Sequence, residues 1–331
     1  MQNVGTDQVS PQSFMEEIFQ QLYANGALLV MWGALLFHLL IPIPHAAHPV
    51  TLWHKFAEQL ANKVNNNHNY SQSILSGGLA LLLMLVPCLI LLLAMKPLVW
   101  QAPLFELALL LIALDWRNNE SLAKQLVTAM SNENKAQCRA LLKPYLNRDT
   151  ESLSLLGIGK AGAETIIMGY GRNVVCVLFW YGLTGGIGAL MYRLTAELAR
   201  AWSPSRRQYS PFGKPAIQLT AALEIVPLRL FAVFISMGKN LSSVSTAILQ
   251  QTKSWPLPGP AWLLCSIGNK LQLSLGGPAL YQGQRAERAK IGGRIAPSAI
   301  HLAQIQTLIV WRIFAWIVIQ SLILGLIYQG L

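Results

Sequence analysis

Charged residues are scarce in this sequence, and acidic residues are the scarcer kind. Only 12% of the 331 residues are Asp, Glu, Lys or Arg, while 53% are hydrophobic. A soluble domain usually carries about twice that charged fraction, so the composition argues for a membrane protein. Basic residues outnumber acidic ones by 25 to 14. They lie in loops between apolar runs, which indicates membrane-flanking loops and argues against nucleic-acid binding.

Cysteine is also rare, and the N-terminal region lacks basic residues. The four cysteines show no CxxC or Cys/His spacing, and Cys88 and Cys176 lie inside apolar runs. Neither a disulfide framework nor a zinc site is therefore predicted. The first 25 residues contain no Lys or Arg, which a cleavable signal peptide needs, so the first apolar run is expected to remain as a membrane anchor.

Apolar runs of membrane-crossing length recur along the chain. They predict an all-α, polytopic membrane protein with about five to six transmembrane or re-entrant helices and amphipathic interfacial helices, in which residues 1–331 form a single membrane domain. Glu106 falls inside the third run, where a carboxylate commonly makes an interhelical hydrogen bond; a role toward protons or substrate is the alternative. The predicted spans are 27–43, 74–95, 98–114, 174–190, 217–237 and 307–328.

Between the third and fourth runs the pattern changes to that of amphipathic helices. Leucines and a methionine recur at three-to-four spacing on both sides of a polar turn at 131–134, which predicts a helix pair within a cytoplasmic helical loop region, 115–173. A further surface helix is predicted at 50–64. Because Pro49 disfavours the helical conformation for the residue before it, His48 is expected to cap that helix.

The segment 147–180 leads a polar, glycine-rich stretch directly into the fourth apolar run. A charge at bilayer depth costs several kcal/mol or needs a partner, so this stretch is predicted to be an interfacial loop that faces water or a cavity. The plainer alternative is a solvated connector without chemistry. Its charged residues are Arg148, Asp149, Glu151, Lys160, Glu164 and Arg172.

Charge distribution also predicts the topology. An outside N-terminus and six crossings place the loops 44–73, 115–173 and 238–305 together in the cytoplasm. The same count puts the basic segment 193–214 outside, against the charge rule. We therefore predict that 174–237 re-enters or tilts instead of crossing cleanly twice.

Eight short pieces in a fixed order carry a family resemblance, which spans roughly residues 42–294. The chain resembles the adenosylcobinamide-phosphate synthase family of cobalamin biosynthesis, called CbiB or CobD. The pieces are HPV at 48–50, RDT at 148–150, GIGKAGAET at 157–165, LFW at 178–180, YR at 192–193, FG at 212–213, VPLRL at 226–230 and LGGPALYQG at 275–283.

The resemblance implies a multi-pass enzyme of the bacterial inner membrane whose active face is cytoplasmic. Such an enzyme joins aminopropanol phosphate, or a related amino alcohol, to a carboxylate of adenosylcobyric acid, with ATP and Mg²⁺ implied as cofactors. The expected partners are membrane lipids, the corrinoid and amino-alcohol phosphate substrates, and other membrane enzymes of the same pathway.

Residue type and resemblance together select candidate site residues. The catalytic candidates are His48, Asp149 and Glu164, and the last two are also the candidate Mg²⁺ ligands. Simpler alternatives remain open: Asp149 can serve as a helix cap or loop salt bridge, and Gly276–Gly277 can form a plain turn. The candidates for substrate or phosphate binding are Arg148, Thr150, Arg172, Arg229, Gly276, Gly277 and Tyr281.

The chain departs from the family pattern at several polar positions. Where the family carries acidic or amide side chains, this sequence has residues that include Met168, Arg172, Leu194 and Ala221, so several carboxylates are missing and one position has changed sign. A non-catalytic membrane sensor or scaffold, similar to the AmpE proteins, is therefore the alternative hypothesis. A transporter that uses Glu106, Glu224 and Arg229 is a third, although no inverted repeat is visible.

Overall fold

Helices make up almost all of the computed structural model, which describes residues 26–41, 49–65 and 69–328. Within these ranges the helices are α1 Gly26–Leu40, α2 Pro49–Val64, α3 Tyr70–Met95, α4 Ala102–Ala113, α5 Trp116–Ser131, α6 Lys135–Leu142, α7 Leu155–Tyr170, α8 Val177–Ala201, α9 Lys214–Ser236, α10 Leu241–Gln251, α11 Pro258–Lys270 and α12 Ala299–Tyr328. A π-helical turn, Gly171–Cys176, joins α7 to α8.

Two short antiparallel ladders stand between α11 and α12. Strand β1, Ser274–Gly276, pairs with β4, Lys290–Gly292. Strand β2, Ala279–Tyr281, pairs with β3, Gln284–Ala286, and this inner hairpin lies between β1 and β4 in sequence.

Four helical segments are long and apolar enough to cross a membrane: Tyr70–Leu98, Leu155–Ala201, Lys214–Ser236 and Ala299–Leu326. Helix α1 is a shorter apolar helix. The chain is therefore a multi-pass helical membrane protein, as the sequence predicts. The most apolar of these segments, Tyr70–Leu98, buries only 22% of its best window inside the protein. Its outward leucines face lipid in such a fold, and α3 alone is about 39 Å long.

The predicted third span, 98–114, is corrected by the structure. The helix there, α4, has only 12 residues and is about 18 Å long, so the predicted span is not one continuous helix. The proline at its start and the extended backbone at Gln101 and Leu114 limit it at both ends. Glu106 makes the interhelical hydrogen bond expected of it, accepting from the backbone N–H of Gly186 in α8.

The chain reverses direction inside α8. At Gly185 the backbone has φ 71° and ψ −166°, a conformation open almost only to glycine, and the helix breaks there. Asn173 and Arg193, which a straight helix would hold about 30 Å apart, are in contact through their side chains. The residues 173–201 therefore form a helical hairpin with its tip at Gly185. The clean span 174–190 is therefore wrong. The reversal is what a re-entrant segment requires, and the re-entry of 174–237 into the membrane stays a prediction.

The predicted interfacial loop before that span is also wrong for residues 155–170, which form the regular helix α7. Ser154 caps it by accepting from Gly157 N–H at 3.2 Å. Its glycines permit close packing: a Cβ on Gly159 would overlap the carbonyl of Pro297, and one on Gly162 would approach Leu302 at 3.3 Å. The glycine-rich stretch thus seats α7 against α12.

The other surface helices follow the sequence predictions closely. Helices α5 and α6 form the expected pair around residues 131–134, with Leu122, Leu126 and Leu142 buried. Helix α2 begins at Pro49 and ends at Val64, matching the predicted 50–64. The expected cap, His48, lies outside the described residues.

Candidate functional site

A polar cavity of about 400 Å³ lies where α5, α7, the π-helical turn, α8 and α9 meet. Its volume is in the range usual for small-molecule sites. The charged residues in its lining are five arginines and four carboxylates, which leave one net positive charge: Arg148, Arg172, Arg193, Arg200, Arg288, Asp115, Glu164, Glu197 and Glu224.

Glu164, on α7, holds together three distant parts of the chain. Its Oε1 accepts from the backbone N–H of Gly276 at 2.9 Å, and both of its oxygens accept from the Arg288 guanidinium at 3.2–3.4 Å. The Arg148 Nη2 atom lies 3.8 Å from Glu164 Oε2. A single carboxylate therefore compensates two arginines and fixes the turn between β1 and β2.

Asp149 attaches the β2–β3 hairpin to the segment that follows α6. Its Oδ2 accepts from Gly283 N–H at 2.8 Å, and its own N–H donates to the Leu280 carbonyl at 2.9 Å. These two bonds hold Tyr281 at the cavity, which Tyr281 lines. The Asp149 carboxylate itself is a tether of the hairpin and is not part of the cavity lining.

A second ion pair closes the opposite wall. Arg172 donates from Nε and Nη2 to the two oxygens of Glu224 at 2.7 and 3.1 Å, a bidentate arrangement. Tyr192 donates its hydroxyl to Glu224 Oε1 at 3.4 Å. Glu224 is 1% exposed and Arg172 is 37% exposed, so the arginine reaches solvent in the cavity while the carboxylate supports it. The π-helical turn gives Arg172 this direction.

Arg193, on the second arm of the hairpin, is a hub of the cavity floor. Its guanidinium lies 3.2 Å from Glu197 and 3.6 Å from Asp115, and it donates to the side-chain oxygen of Asn173. Glu197 also lies 3.4 Å from His54 Nδ1 on α2. Because Arg193 and both of its acidic partners are almost fully buried, removing any one charge would leave another unpaired.

Arg148 is held in an unusual electrostatic environment. Its side chain is 7% exposed and its Nη2 atom has no hydrogen-bond acceptor. Burial lowers the pKa of Arg148, and the nearby Arg288 lowers it further, while Glu164 opposes both effects. An anion beside this guanidinium would relieve the cost of its burial.

The structure brings together most of the residues selected from the sequence. Four of the ten, Arg148, Glu164, Arg172 and Tyr281, line the cavity. Three more adjoin it through direct contacts: Asp149 and Gly276 as described above, and Gly277 through its carbonyl, which accepts from Arg288 at 3.1 Å.

Three candidates are placed elsewhere or are not described. Thr150 is 6% exposed and follows Asp149 away from the cavity. Arg229 stacks over the Trp262 ring at 4.9 Å, outside the cavity lining. His48 lies outside the described residues, so its predicted role stays a prediction.

Sequence reasoning missed several cavity residues, although some left a signal. Arg193 and Glu197 lie four residues apart in a largely apolar helix, a spacing that favours an ion pair on one helix face. Glu224 likewise stands in an apolar run, where a carboxylate calls for a partner. Arg288 and Asp115 carried no comparable signal, because both stand in polar segments.

The described acidic residues do not fit a magnesium site. No group of three or more His, Cys, Asp or Glu side chains in the described ranges is close enough to hold a metal ion. Each of the four cavity carboxylates is paired with at least one arginine. Asp149 and Glu164, the candidate ligands, are engaged by the Gly283 N–H and by the arginines Arg148 and Arg288, respectively. No step of the chemistry is therefore derived through Mg²⁺.

Comparison with known proteins agrees with the resemblance seen in the sequence. A model of the family described as CobD/Cbib protein matches residues 31–309. Cobalamin biosynthesis protein CobD of Stutzerimonas stutzeri is 26% identical over 297 residues, covering 89% of this chain and 97% of the relative. The protein of the same name from Chromobacterium violaceum is 27% identical over 218 residues, covering 66% and 70%. No solved structure matches the chain.

Proposed function

The chain belongs to the CobD/CbiB family and has a role in cobalamin biosynthesis, and from that premise we propose that it forms an amide bond in the cavity described above. The bond joins an amino alcohol, or its phosphate, to a carboxylate of a corrinoid. ATP supplies the driving force, because a carboxylate and an amine do not condense unaided. The active face is the cytoplasmic side of a bacterial inner membrane.

The observation that carries this proposal is the convergence of five arginines and four carboxylates from distant segments in one cavity. Anionic groups dominate the proposed reactants: a carboxylate, phosphate oxygens and the acyl phosphate between them. Arginines aimed at such oxygens stabilise the charge that develops during acyl transfer. A cavity of about 400 Å³ is in the size range for an amino-alcohol phosphate and a carboxylate arm, and the proposal leaves the corrin ring outside it.

The bond changes balance with ATP as co-substrate. A carboxylate oxygen attacks the γ-phosphorus, ADP leaves, and an acyl phosphate forms. The free amine then attacks the acyl carbon, phosphate leaves with the C–O electron pair, and the ammonium proton passes to a base. We assign the acyl and phosphate oxygens to Arg172 and Arg193; in support, both line the cavity and carboxylates hold both guanidinium groups.

Complementation tests this proposal. A strain that lacks the synthase, and grows only when it converts cobyric acid to cobinamide, is given the gene for this chain. We expect growth with the wild type and its loss with Arg193→Gln, which removes the hub of the cavity floor. Lys135→Gln is the matched control, since Lys135 is exposed on α6 away from the cavity. The protein level in the membrane is measured for every variant.

One observation favours the alternative, a non-catalytic AmpE-like sensor or scaffold. All four cavity carboxylates are paired with arginine, so within the described residues none stands ready as the base for the ammonium. Absence of growth while the wild-type protein is present in the membrane at normal level would eliminate the enzymatic proposal and leave this alternative.

A further inference from the structure

Two lysines and an arginine converge on the turn between β1 and β2. The Lys160 ammonium nitrogen lies 3.9 Å from the point where a Cβ on Gly277 would stand, and Lys290 Cε lies 4.0 Å from the same point. Arg288 donates to the Gly277 carbonyl from the other side. Lys160 belongs to α7 and Lys290 to β4, so two separate elements direct like charges to one place.

These cations are poorly compensated. Together with Arg148, they make four positive charges, which we call the basic pole: Arg148, Lys160, Arg288 and Lys290. Among the described residues, Glu164 is the one carboxylate in ion-pair contact with any of them, and both of its contacts go to the arginines. Like charges held this close repel each other, so the arrangement favours a bound anion.

Arg148 gives independent support for a ligand. Its side chain is more than nine-tenths buried, it lines the cavity, and its Nη2 atom has no hydrogen-bond acceptor. A buried polar atom normally has at least one hydrogen-bond partner, and leaving it without one is costly. The missing acceptor and the excess positive charge occur at the same end of the cavity.

We propose that the basic pole binds the phosphate group of a soluble phosphate ester, with Lys160 and Lys290 as binding residues at the rim and Arg148 and Arg288 inside the cavity. Arg172, which Glu224 holds in a bidentate ion pair, then binds the reacting group at the other end of the cavity. The two ends together orient an extended substrate, phosphate toward Gly277 and reacting group toward Arg172. The identity of the ester, an amino-alcohol phosphate or a nucleoside triphosphate, rests on the proposed function.

Backbone geometry at the pole is consistent with this assignment. Gly276 and Gly277 have φ of 70° and 89°, a conformation that favours glycine, so no side chain at these positions occupies the place where the cations converge. The Gly277 N–H makes only a long contact, 3.3 Å, to the Ala289 carbonyl. Trp255 closes the turn, lying under the Arg288 guanidinium at 5.7 Å and donating to the Ala289 carbonyl.

The test is direct binding to the full-length protein in nanodiscs of phosphatidylcholine, a lipid without net charge. Aminopropanol phosphate, ATP and inorganic phosphate are titrated separately by calorimetry. We expect saturable binding of at least one of them, weakened about tenfold or more by Lys290→Gln and by Lys160→Gln, because each removes a hydrogen bond to a charged group. Lys135→Gln is expected to leave the affinity unchanged. The compound that binds tightest identifies the source of the phosphate.

Lys290 is exposed, so Lys290→Gln tests the proposal even if Lys160→Gln folds poorly. Affinities within twofold of wild type in both variants, or binding of none of the three compounds, would overturn the assignment, as would a lysine-dependent effect seen only with anionic phosphatidylglycerol nanodiscs. Because binding is measured without turnover, the two proposals can fail separately. If an ester binds but the gene does not restore growth, only the proposed function is contradicted. If the gene restores growth but the two lysine variants bind the compounds as the wild type does, only the phosphate site is contradicted.

Discussion

Glu224 is a fully buried carboxylate in an apolar helix, and its partner makes that position tolerable. Arg172 meets both of its oxygens, and the Tyr192 hydroxyl adds a third donor. A buried charge without such partners would cost several kcal/mol. The pair therefore works as one unit, because a change to either member leaves the charge of the other unpaired and lowers the stability of the protein.

Glu224→Gln is expected to destabilise the protein more than an ordinary surface change. Breaking a buried pair by removing one partner costs about 3–5 kcal/mol, and about 1–3 kcal/mol is expected here because Arg172 is partly solvated. The measurement is thermal unfolding of the purified protein in detergent. Glu151→Gln is the control, since Glu151 is 90% exposed and its ion pair with Lys143 is long, at 4.0 Å. An equal midpoint for the two variants would show that the pair contributes nothing.

The sequence indicates that Glu224 and Arg172 each need a partner, but it does not show that they pair with each other. Glu224 in an apolar run and Arg172 beside one both indicate a partner. They are 52 positions apart, and many arginines are available, so composition does not choose among them. For the same reason, Arg148 and Glu164 were selected as separate site residues, whereas their contact became known only from the fold.

The helical hairpin is the element that determines the position of the cavity. Its two arms carry Asn173 and Arg193 into contact, and its tip at Gly185 lies about 18 Å from Asn173 and about 12 Å from Arg193 along the helix axes. At the broken backbone of the tip, the Gly186 N–H donates to the Glu106 carboxylate. One carboxylate on α4 thus stabilises the reversal that forms the cavity floor.

Gly185→Ala is expected to destabilise the fold by about 1–3 kcal/mol, since its φ/ψ region is essentially restricted to glycine. The added Cβ would also stand 2.9 Å from Glu106 Oε2. The readout is the midpoint of thermal unfolding in detergent. Gly78→Ala is the control, because its Cβ would meet nothing within 4 Å in a regular helix and should stabilise slightly. A Gly185→Ala protein as stable as the control would show that the reversal does not need glycine.

The substitution Gly77→Ala tests the packing of α3 against the loop before α9. A Cβ on Gly77 would overlap the carbonyl of Phe212, whereas its neighbour Gly78 faces open space. Gly77→Ala must push the two elements apart and is expected to cost about 1–3 kcal/mol, as overpacking usually does. Protease resistance of the loop near Phe212 in detergent is the measurement. Comparable resistance in the Gly77→Ala and Gly78→Ala proteins would contradict the packing described.

Glycine explains why prediction succeeded for some elements and failed for others. The proline at position 49 marked the start of the helix at 50–64, and apolar spacing around a polar turn marked the pair in 115–146; the structure confirmed these helices. In α7, glycines that serve close packing against Pro297 were interpreted as loop residues. At Gly185 the same residue type does break a helix. The sequence does not distinguish these uses, because the difference lies in the neighbouring element.

At the scale of the whole molecule, the distribution of basic residues along the chain was a better guide to the topology than any sequence motif. The conflict over the basic residues at 193–214 was the reason to predict re-entry, and the hairpin resolves it. Arg200 donates to the Pro144 carbonyl, and Arg207 N–H donates to the Gln282 side chain. The basic segment therefore lies on the same face as the motif-bearing loops. The depth of the hairpin was not predictable, because hydropathy is the same for crossing and for returning.

This arrangement predicts which positions share a side of the membrane. Tyr70, at the start of α3, contacts Lys214, while the far end of that helix, about 39 Å away, leads to Gln101. In a background with the four native cysteines changed to alanine, Glu151→Cys and Arg207→Cys should react with an impermeant maleimide only in inside-out vesicles. Gln101→Cys should react only in intact cells from which the outer membrane has been removed.

Arg207→Cys is the decisive position in that experiment. Glu151 and Gln101 would label from opposite sides whether the hairpin returns or crosses, so they serve as controls for vesicle orientation. A hairpin that returns at Gly185 keeps Arg207 with Glu151, whereas a segment that crosses moves it to the side of Gln101. Labelling of Arg207→Cys together with Gln101→Cys would separate Arg200 from Pro144 by the thickness of the bilayer, and neither the cavity nor the ligation chemistry proposed in it would survive.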